Sequence, residues 1–213
     1  METIRGKSSI ELNFNGLTQK LDAYDHMLLD LGTGDGRFVK YMTEQHPHWF
    51  VIGVDTCREN LREQSRAKLP NMLFIIARAQ ELPHELSGLV SHVTINFPWG
   101  SLLESLLTGD PKLMRGLASI SRSVSTIDIR LNSGALAEAG KTLETGADQI
   151  YNNMIRAGWQ IDAPKLIYAP ALRTFPSTWA KRLAFGRDPR AATLSGHLAA
   201  QTQTVKQTVC FGE

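Results

Sequence analysis

Leu28-Leu29-Asp30-Leu31-Gly32-Thr33-Gly34-Asp35-Gly36-Arg37-Phe38 reads as a short buried strand closed by a carboxylate, a tight glycine turn and the start of a helix. Three glycines at alternate positions let the backbone turn sharply and approach a ligand, because no Cβ stands in the way. The helix that follows is expected to aim unpaired backbone N–H groups into the turn. A dinucleotide site has Gly-x-Gly-x-x-Gly, so that a pyrophosphate rests on the helix N-terminus. Here the spacing is Gly-x-Gly-x-Gly, and the preceding Asp30 would repel a phosphate. A carboxylate at that point suits a ligand that carries an ammonium group.

S-adenosylmethionine (SAM) carries one, together with a carboxylate that could accept hydrogen bonds from the turn's N–H groups. The stretch resembles motif I of class I SAM-dependent methyltransferases, in which an acidic residue precedes Gly-x-Gly-x-Gly. A second carboxylate supports the same ligand. Phe50-Val51-Ile52-Gly53-Val54-Asp55 is another apolar strand ending in an aspartate, at the distance of about twenty residues where doubly wound folds place the acceptor of the ribose hydroxyls. Asp55 also suits the N-cap of the segment that follows, and the two roles are compatible.

At 213 residues the chain is long enough for one well-buried domain, with little left for a second. Its composition, 42% hydrophobic and 21% charged, is that of an ordinary globular protein. A net charge of +2 does not announce a nucleic-acid binder, so any basic surface must be local. The cysteines, Cys57 and Cys210, show neither metal spacing nor a disulfide framework, and His46 and His48 flank a proline in what reads as a solvated loop. No catalytic metal is expected. The N-terminus lacks the apolar run of a signal peptide and no segment reads as membrane-spanning, so the expectation is a cytoplasmic protein.

Around the glycine turn, strands and helices alternate. Residues 2–14 suggest a hairpin broken at Gly6-Lys7, and Leu17–Tyr24 a short helix. Strands are expected at Met27–Leu31, Trp49–Asp55, Met72–Arg78, His92–Phe97 and Ser125–Leu131. Helices are expected at Gly36–Gln45, Arg58–Lys68, Gln80–Leu89, Ser101–Ser121 (interrupted at Gly109-Asp110-Pro111) and Leu143–Ala157. Trp159–Ile167 and Ala191–Leu198 complete a seven-stranded, mostly parallel α/β sheet of Rossmann-like type, with helices on both faces. The expected organisation is a single domain over 1–213, with an N-terminal extension at 1–24, a recognition insert at 168–190 and a tail at 199–213 of uncertain structure. Ligands in such sheets bind beyond the carboxyl ends of the strands, so Asp30, Asp55, Arg78 and Asn96 are expected to face one crevice.

Asn96-Phe97-Pro98-Trp99 ends the fourth of these strands. It is similar to the (Asp/Asn)-Pro-Pro-aromatic signature of methyltransferases that act on nucleic-acid bases, with Phe97 in place of one proline. An aromatic ring there offers a base a stacking platform worth about 1–3 kcal/mol; the plainer reading of Trp99 is a core aromatic opening the next helix. The insert supplies a second indole among cations, Phe175-Pro176-Ser177-Thr178-Trp179-Ala180-Lys181-Arg182-Leu183-Ala184-Phe185-Gly186-Arg187. A stacked base must be flipped out before chemistry, at a cost of a few kcal/mol, and two facing tryptophans could offset most of it. Lys181, Arg182, Arg187 and Arg190 could hold backbone phosphates. Arg58, Arg62 and Arg66, with Lys68 nearby, form either a basic helix stripe or, with Glu59 and Glu63, a solvated helix face.

Taken together in this order, Asp-Leu-Gly-Thr-Gly-Asp-Gly, Asn-Phe-Pro-Trp-Gly-Ser-Leu-Leu and Phe-Pro-Ser-Thr-Trp-Ala-Lys-Arg-Leu resemble the aminoglycoside-resistance 16S rRNA adenine-1408 N1-methyltransferases. The likeness runs from the hairpin to about residue 198, and the tryptophan-bearing insert discriminates it. The resemblance implies methylation of adenine N1 in the decoding A site of the assembled 30S subunit, blocking kanamycin- and apramycin-type drugs. It further implies that Trp99 and Trp179 sandwich the flipped adenine while the Phe97/Pro98 backbone orients its amino group. Asp30, Gly32, Thr33, Gly34, Gly36, Asp55, Gln80, Glu81, Asn96 and Ser177 would hold SAM, and Arg187 or Arg190 the phosphate of the flipped nucleotide. A monomer would best reach a crowded ribosomal surface. Three alternatives differ in kind: a tRNA guanine-N7 methyltransferase, a small-molecule methyltransferase, and a non-catalytic RNA-binding protein that keeps SAM as a structural ligand.

Overall fold

The computed structural model describes residues 1–199. In chain order the elements are β1 (Glu2–Arg5), β2 (Ser8–Glu11), α1 (Phe14–Leu21), β3 (His26–Leu31), α2 (Arg37–Gln45), β4 (Trp49–Asp55), α3 (Arg58–Leu61), β5 (Met72–Ile76), β6 (Val90–Asn96), α4 (Gly100–Thr108), α5 (Pro111–Ile120) and β7 (Ser121–Asn132). There follow α6 (Ser133–Glu138), α7 (Leu143–Arg156), β8 (Trp159–Ile161), β9 (Lys165–Tyr168), α8 (Ala169–Thr174), α9 (Thr178–Ala184) and β10 (Arg190–Leu198). The strands form one sheet in the order β2-β1-β5-β4-β3-β6-β7-β10-β8, with β9 also paired to β10. The five strands from β5 to β7 run parallel, and β10 returns antiparallel to β7. The expected seven-stranded core is present, and β1, β2 and β9 extend it to ten strands.

The chain leaves β3 for β4 and β5, then comes back to place β6 on the other side of β3. That reversal opens a crevice at the carboxyl ends of β3 and β6, where doubly wound folds take their ligands. Both faces of the sheet are covered. One carries the larger apolar cluster, including Leu106, Leu117 and Ile150 of α4, α5 and α7; the other packs Phe38 and Val39 of α2 on Leu28, Val51 and Phe74. Strands buried on both sides read as continuous apolar runs, which is why Met27–Leu31 and Phe50–Val54 were legible. The break between α4 and α5 follows its residues: Gly109 adopts φ 67° as the C-cap, and Asp110 caps α5 by accepting the Lys112 N–H.

Three expected elements differ. Arg58–Lys68 is helical only to Leu61 before a 3₁₀ turn at Gln64–Arg66. There the Ser65 hydroxyl donates to the Arg62 carbonyl and accepts the Gly6 N–H at 2.9 Å, tying the segment to the hairpin in place of a helix ladder. Gln80–Leu89 contains only a 3₁₀ turn at His84–Leu86, since Pro83 and Gly88 interrupt a helix that short. Trp159–Ile167 splits into β8 and β9 around Asp162-Ala163-Pro164, where proline removes a ladder donor. The 168–190 insert, for which no internal element was expected, holds α8 and α9. The 199–213 tail lies, from residue 200 onward, outside the described residues. Among the described residues no helix is long and apolar enough to cross a membrane.

The pairing of β8 with β10 depends on Gly196, where an added Cβ would lie 2.1 Å from the Gln160 carbonyl oxygen. Backbone cannot yield as a side chain can. Gly196→Ala is therefore expected to cost about 2–3 kcal/mol and to lower the thermal midpoint by roughly 5–10 °C. An unchanged midpoint in a calorimetric scan would count against this pairing.

Candidate active site

Asp30 lies near the carboxyl end of the buried run of β3, one residue before Leu31, and is itself only 1% exposed. Register fixes its neighbours: Asp30 pairs with Thr94 on β6, and Asn96 pairs with Arg130 on β7. The Thr94 hydroxyl and the Asn96 amide both donate to Asp30 Oδ1, at 2.7 and 2.8 Å. Asn96 Oδ1 in turn accepts from the Arg130 guanidinium at 3.0 Å. Burial pushes the Asp30 carboxyl up to about 6, against the opposing pull of these donors, of the nearby Thr33 hydroxyl and of the Arg130 charge. The Thr33 hydroxyl lies buried beside it, outside hydrogen-bonding geometry, and has no partner among the described residues. A buried carboxylate whose Oδ2 accepts from neither Thr94 nor Asn96 favours a cationic ligand group.

The turn beyond Asp30 holds Gly32 at φ 72° and Gly34 at φ 59°, left-handed conformations that other side chains rarely adopt. A Cβ on Gly32 would also meet Leu102 at 2.6 Å, whereas Gly34 opens onto free space that a ligand can fill. The N–H groups do not behave as expected. Gly32 and Thr33 donate to the Val54 carbonyl at 2.8 and 3.0 Å, Gly34 to Asp55 Oδ2 at 2.8 Å, and Gly36 to the Thr33 carbonyl at 3.2 Å. They brace the turn against β4, so the turn presents shape and the Asp30 charge more than free donors. Asp55 Oδ1 also accepts the Cys57 N–H at 2.9 Å. Each carboxylate oxygen keeps a lone pair, which leaves Asp55 able to accept hydroxyls as well.

At the end of β6 the backbone turns through Phe97 at φ 55°, among the described residues the non-glycine residue with positive φ. Such strain costs on the order of 1–3 kcal/mol. It is held by the Phe97 N–H donating to the Arg130 carbonyl at 2.7 Å and by the buried ring packing edge-on to Phe175. The turn brings Trp99 to the cavity mouth. Trp99 is 42% exposed, not a core aromatic, and Trp179 from α9 is 45% exposed. Their rings stack, with centroids 5.5 Å apart and planes 24° from parallel, and the Arg182 guanidinium lies 5.1 Å over Trp179.

These elements enclose a cavity of about 240 Å³. Of the residues expected there, Asp30, Gly32, Thr33, Gly34, Asp55, Gln80, Asn96, Phe97, Pro98, Trp99, Ser177 and Trp179 line it. Gly36 does not; it is buried behind the turn, where a Cβ would meet the Phe74 ring at 2.6 Å. Glu81 and Arg78 lie in a neighbouring cleft with Lys112 and Arg115, because β5 ends at Ile76 and the chain turns away.

The basic stripe is not formed. Arg58 pairs with Glu2, Arg62 with Glu59 at 3.2 Å, and the Arg66 stem packs over Gly6, while Lys68 is exposed in the loop before β5. Lys181 and Arg182 of α9 and Arg187 just beyond it are exposed, and among the described residues none of them has a carboxylate partner. Arg190 is engaged, donating to Asp188 at 2.7 and 2.9 Å and to Glu144 at 3.0 Å. Of the two arginines expected at a phosphate, Arg187 is the one left available. The sequence reading missed Arg130 and Thr94, whose only signal is strand register, and Phe175, which stacks on Phe38 and carries the Arg130 guanidinium 5.1 Å from its centroid.

The sheet order, the reversal beside β3 and a buried carboxylate ahead of a glycine turn define a class I SAM-dependent methyltransferase. The chain matches the family model for NpmA, 16S rRNA (adenine(1408)-N(1))-methyltransferase, over residues 2–198. It belongs to that family. A 16S rRNA (adenine(1408)-N(1))-methyltransferase of Escherichia coli is 30% identical, over 93% of this chain and 99% of its own. The crystal structure of the 16S rRNA methyltransferase KamB superposes with a TM-score of 0.85 at 29% identity, covering 93% of this chain and all of that one. The aminoglycoside resistance methyltransferase NpmB1 superposes at 0.77 with 28% identity, covering 93% and 99%.

Proposed function

We propose that this enzyme methylates N1 of adenine 1408 in the decoding site of 16S rRNA on the 30S subunit, as a monomer in the cytoplasm, and so confers aminoglycoside resistance. The observation that carries this reading is the pair of half-exposed tryptophans facing each other at the mouth of the cavity. Asp30 would hold the ammonium group of SAM, Asp55 its ribose hydroxyls, and Gly34, Gln80, Asn96 and Ser177 the walls around it. When bound, SAM supplies an activated methyl group.

Adenine N1 carries an in-plane lone pair at neutral pH, so the protein needs no general base and contributes alignment instead. Trp99 and Trp179 stack on the two faces of the base. Two contacts of roughly 3.5 Å each need about 7 Å between the rings, so the pair must part from its present 5.5 Å to admit it. The Asn96 amide is turned toward Asp30 and Arg130, and the Phe97 and Pro98 carbonyls would accept the exocyclic amine. Lys181, Arg182 and Arg187 hold the phosphates of the distorted strand. A small-molecule methyltransferase would place an apolar lid where these cations stand.

The test is methyl transfer from labelled SAM to 30S subunits, with naked 16S rRNA and tRNA in parallel, followed by reverse-transcription mapping. A single stop at adenine 1408, on 30S only, is the expected result. Label on tRNA without that stop would move the enzyme to guanine-N7 chemistry. SAM binding with no label anywhere would leave the non-catalytic reading.

A further inference from the structure

The recognition insert is fastened to the cofactor turn by a contact between residues 143 positions apart. The Thr178 hydroxyl donates to Asp35 Oδ2 at 2.7 Å. Asp35 sits inside the glycine turn, between Gly34, whose N–H braces Asp55, and Gly36 at the start of α2. Its carboxylate also accepts the Arg37 N–H at 3.2 Å and lies 3.4 Å from Arg37 Nε, so its position is set from the cofactor side. Thr178 is the first residue of α9, with Ser177 lining the cavity on one side and Trp179 following on the other.

A second contact holds the same segment. Phe175 stacks on Phe38 of α2, with centroids 5.4 Å apart and planes 5° from parallel. Beyond these two points Lys181, Arg182, Phe185, Gly186 and Arg187 are exposed. Ala180 and Ala184 of α9 are buried with Phe97, Leu172 and Ala191, so Phe175 and Thr178 are the contacts that refer Trp179 to the cofactor turn.

We infer that Asp35 and Thr178 are positioning residues: their hydrogen bond transmits the ordering of the glycine turn by SAM to α9, and so sets Trp179 for the base. The inference rests on the reading of Trp179 as one wall of a base clamp. Neither residue touches the reacting atoms. Coupling of this kind is reciprocal, so a clamp closed on substrate also holds the turn around the cofactor.

The experiment compares wild type, Thr178→Val and Thr178→Ser as full chains. Amide hydrogen exchange of residues 175–187 is followed with and without S-adenosylhomocysteine. Cofactor affinity is measured by calorimetry, and 30S methylation kinetics are run alongside. In wild type the ligand is expected to slow exchange in this segment. Thr178→Val, which keeps the shape and removes the donor, should lose that slowing and about 10-fold in kcat/KM for 30S while cofactor Kd stays within about threefold. Thr178→Ser should restore both. Overturning results are no ligand-dependent slowing in wild type, slowing or kcat/KM unchanged in Thr178→Val, or failure of Thr178→Ser to rescue. If wild type itself fails to methylate 30S, the functional reading falls, and the exchange comparison still decides whether the Asp35–Thr178 hydrogen bond couples the turn to α9.

Discussion

Trp99→Ala and Trp179→Ala are each expected to reduce methylation of 30S subunits to background while cofactor Kd changes by no more than a few fold. Base–aromatic stacking is worth about 1–3 kcal/mol per ring, and a flipped base costs a few kcal/mol to hold out of its stack. Removing either indole therefore takes away much of what offsets flipping. It also frees the base to shift, and a displacement of about 1 Å costs on the order of 100-fold in rate. A combined loss of at least 100-fold in kcat/KM follows for each variant. Cofactor binding should escape because Asp30, the carboxylate proposed to anchor it, is buried in the cavity wall, while both indoles stand half exposed at the mouth.

Trp99→Phe and Trp179→Phe sharpen the comparison. A phenyl ring keeps a stacking face, so each should retain more activity than its alanine counterpart. If phenylalanine and alanine variants lose activity equally, stacking is not what these positions supply. If the alanine variants lose SAM affinity in proportion to activity, the two rings belong to the cofactor site and the clamp is refuted.

How far the site could be read in advance depended on the distance over which its residues are organised. Asp30, the glycine turn, Asp55 and Asn96–Trp99 are strand ends, and their meeting at one cavity follows from local pattern plus the rule that ligands sit at carboxyl ends. Where a distant contact decided the outcome, the pattern misled. Arg58–Lys68 has helical spacing, yet Ser65 bonds to Gly6 of the hairpin and the helix stops. Arg190, expected among the phosphate contacts, is paired with Glu144, 46 positions away, as well as with its near neighbour Asp188. Arg130 carries no motif at all; only the alignment of β6 with β7 sets it against Asn96. Pro164 is a different kind of miss, since a proline inside a supposed strand was there to be read.

Asp30→Asn is expected to stabilise the cofactor-free protein while removing its affinity for SAM. The substitution preserves the fold locally, because Thr94 and Asn96 both donate to Oδ1, which an asparagine carbonyl replaces. What it removes is a buried charge. Burial raises the Asp30 carboxyl from its ordinary 3.8 to about 6. Between those values the folded chain holds a proton that the unfolded chain has released. The stabilisation from that proton is complete below about 4 and is lost as pH rises through about 6. At pH 7 the ionised group therefore costs the cofactor-free fold on the order of 3 kcal/mol. Asp30→Asn should raise the thermal midpoint at pH 7 by several degrees, and the gain should vanish near pH 4. Binding moves the other way. Taking one partner from a buried ion pair costs about 3–5 kcal/mol, so SAM affinity should fall by 100-fold or more. In wild type, affinity should drop about tenfold for each pH unit below about 6, as the carboxyl takes up its proton. Calorimetric titrations across pH 5–8, with thermal scans of the free proteins, measure both halves. A destabilised variant that still binds SAM would show that the carboxylate is a structural acceptor and that the ammonium of the cofactor lies elsewhere.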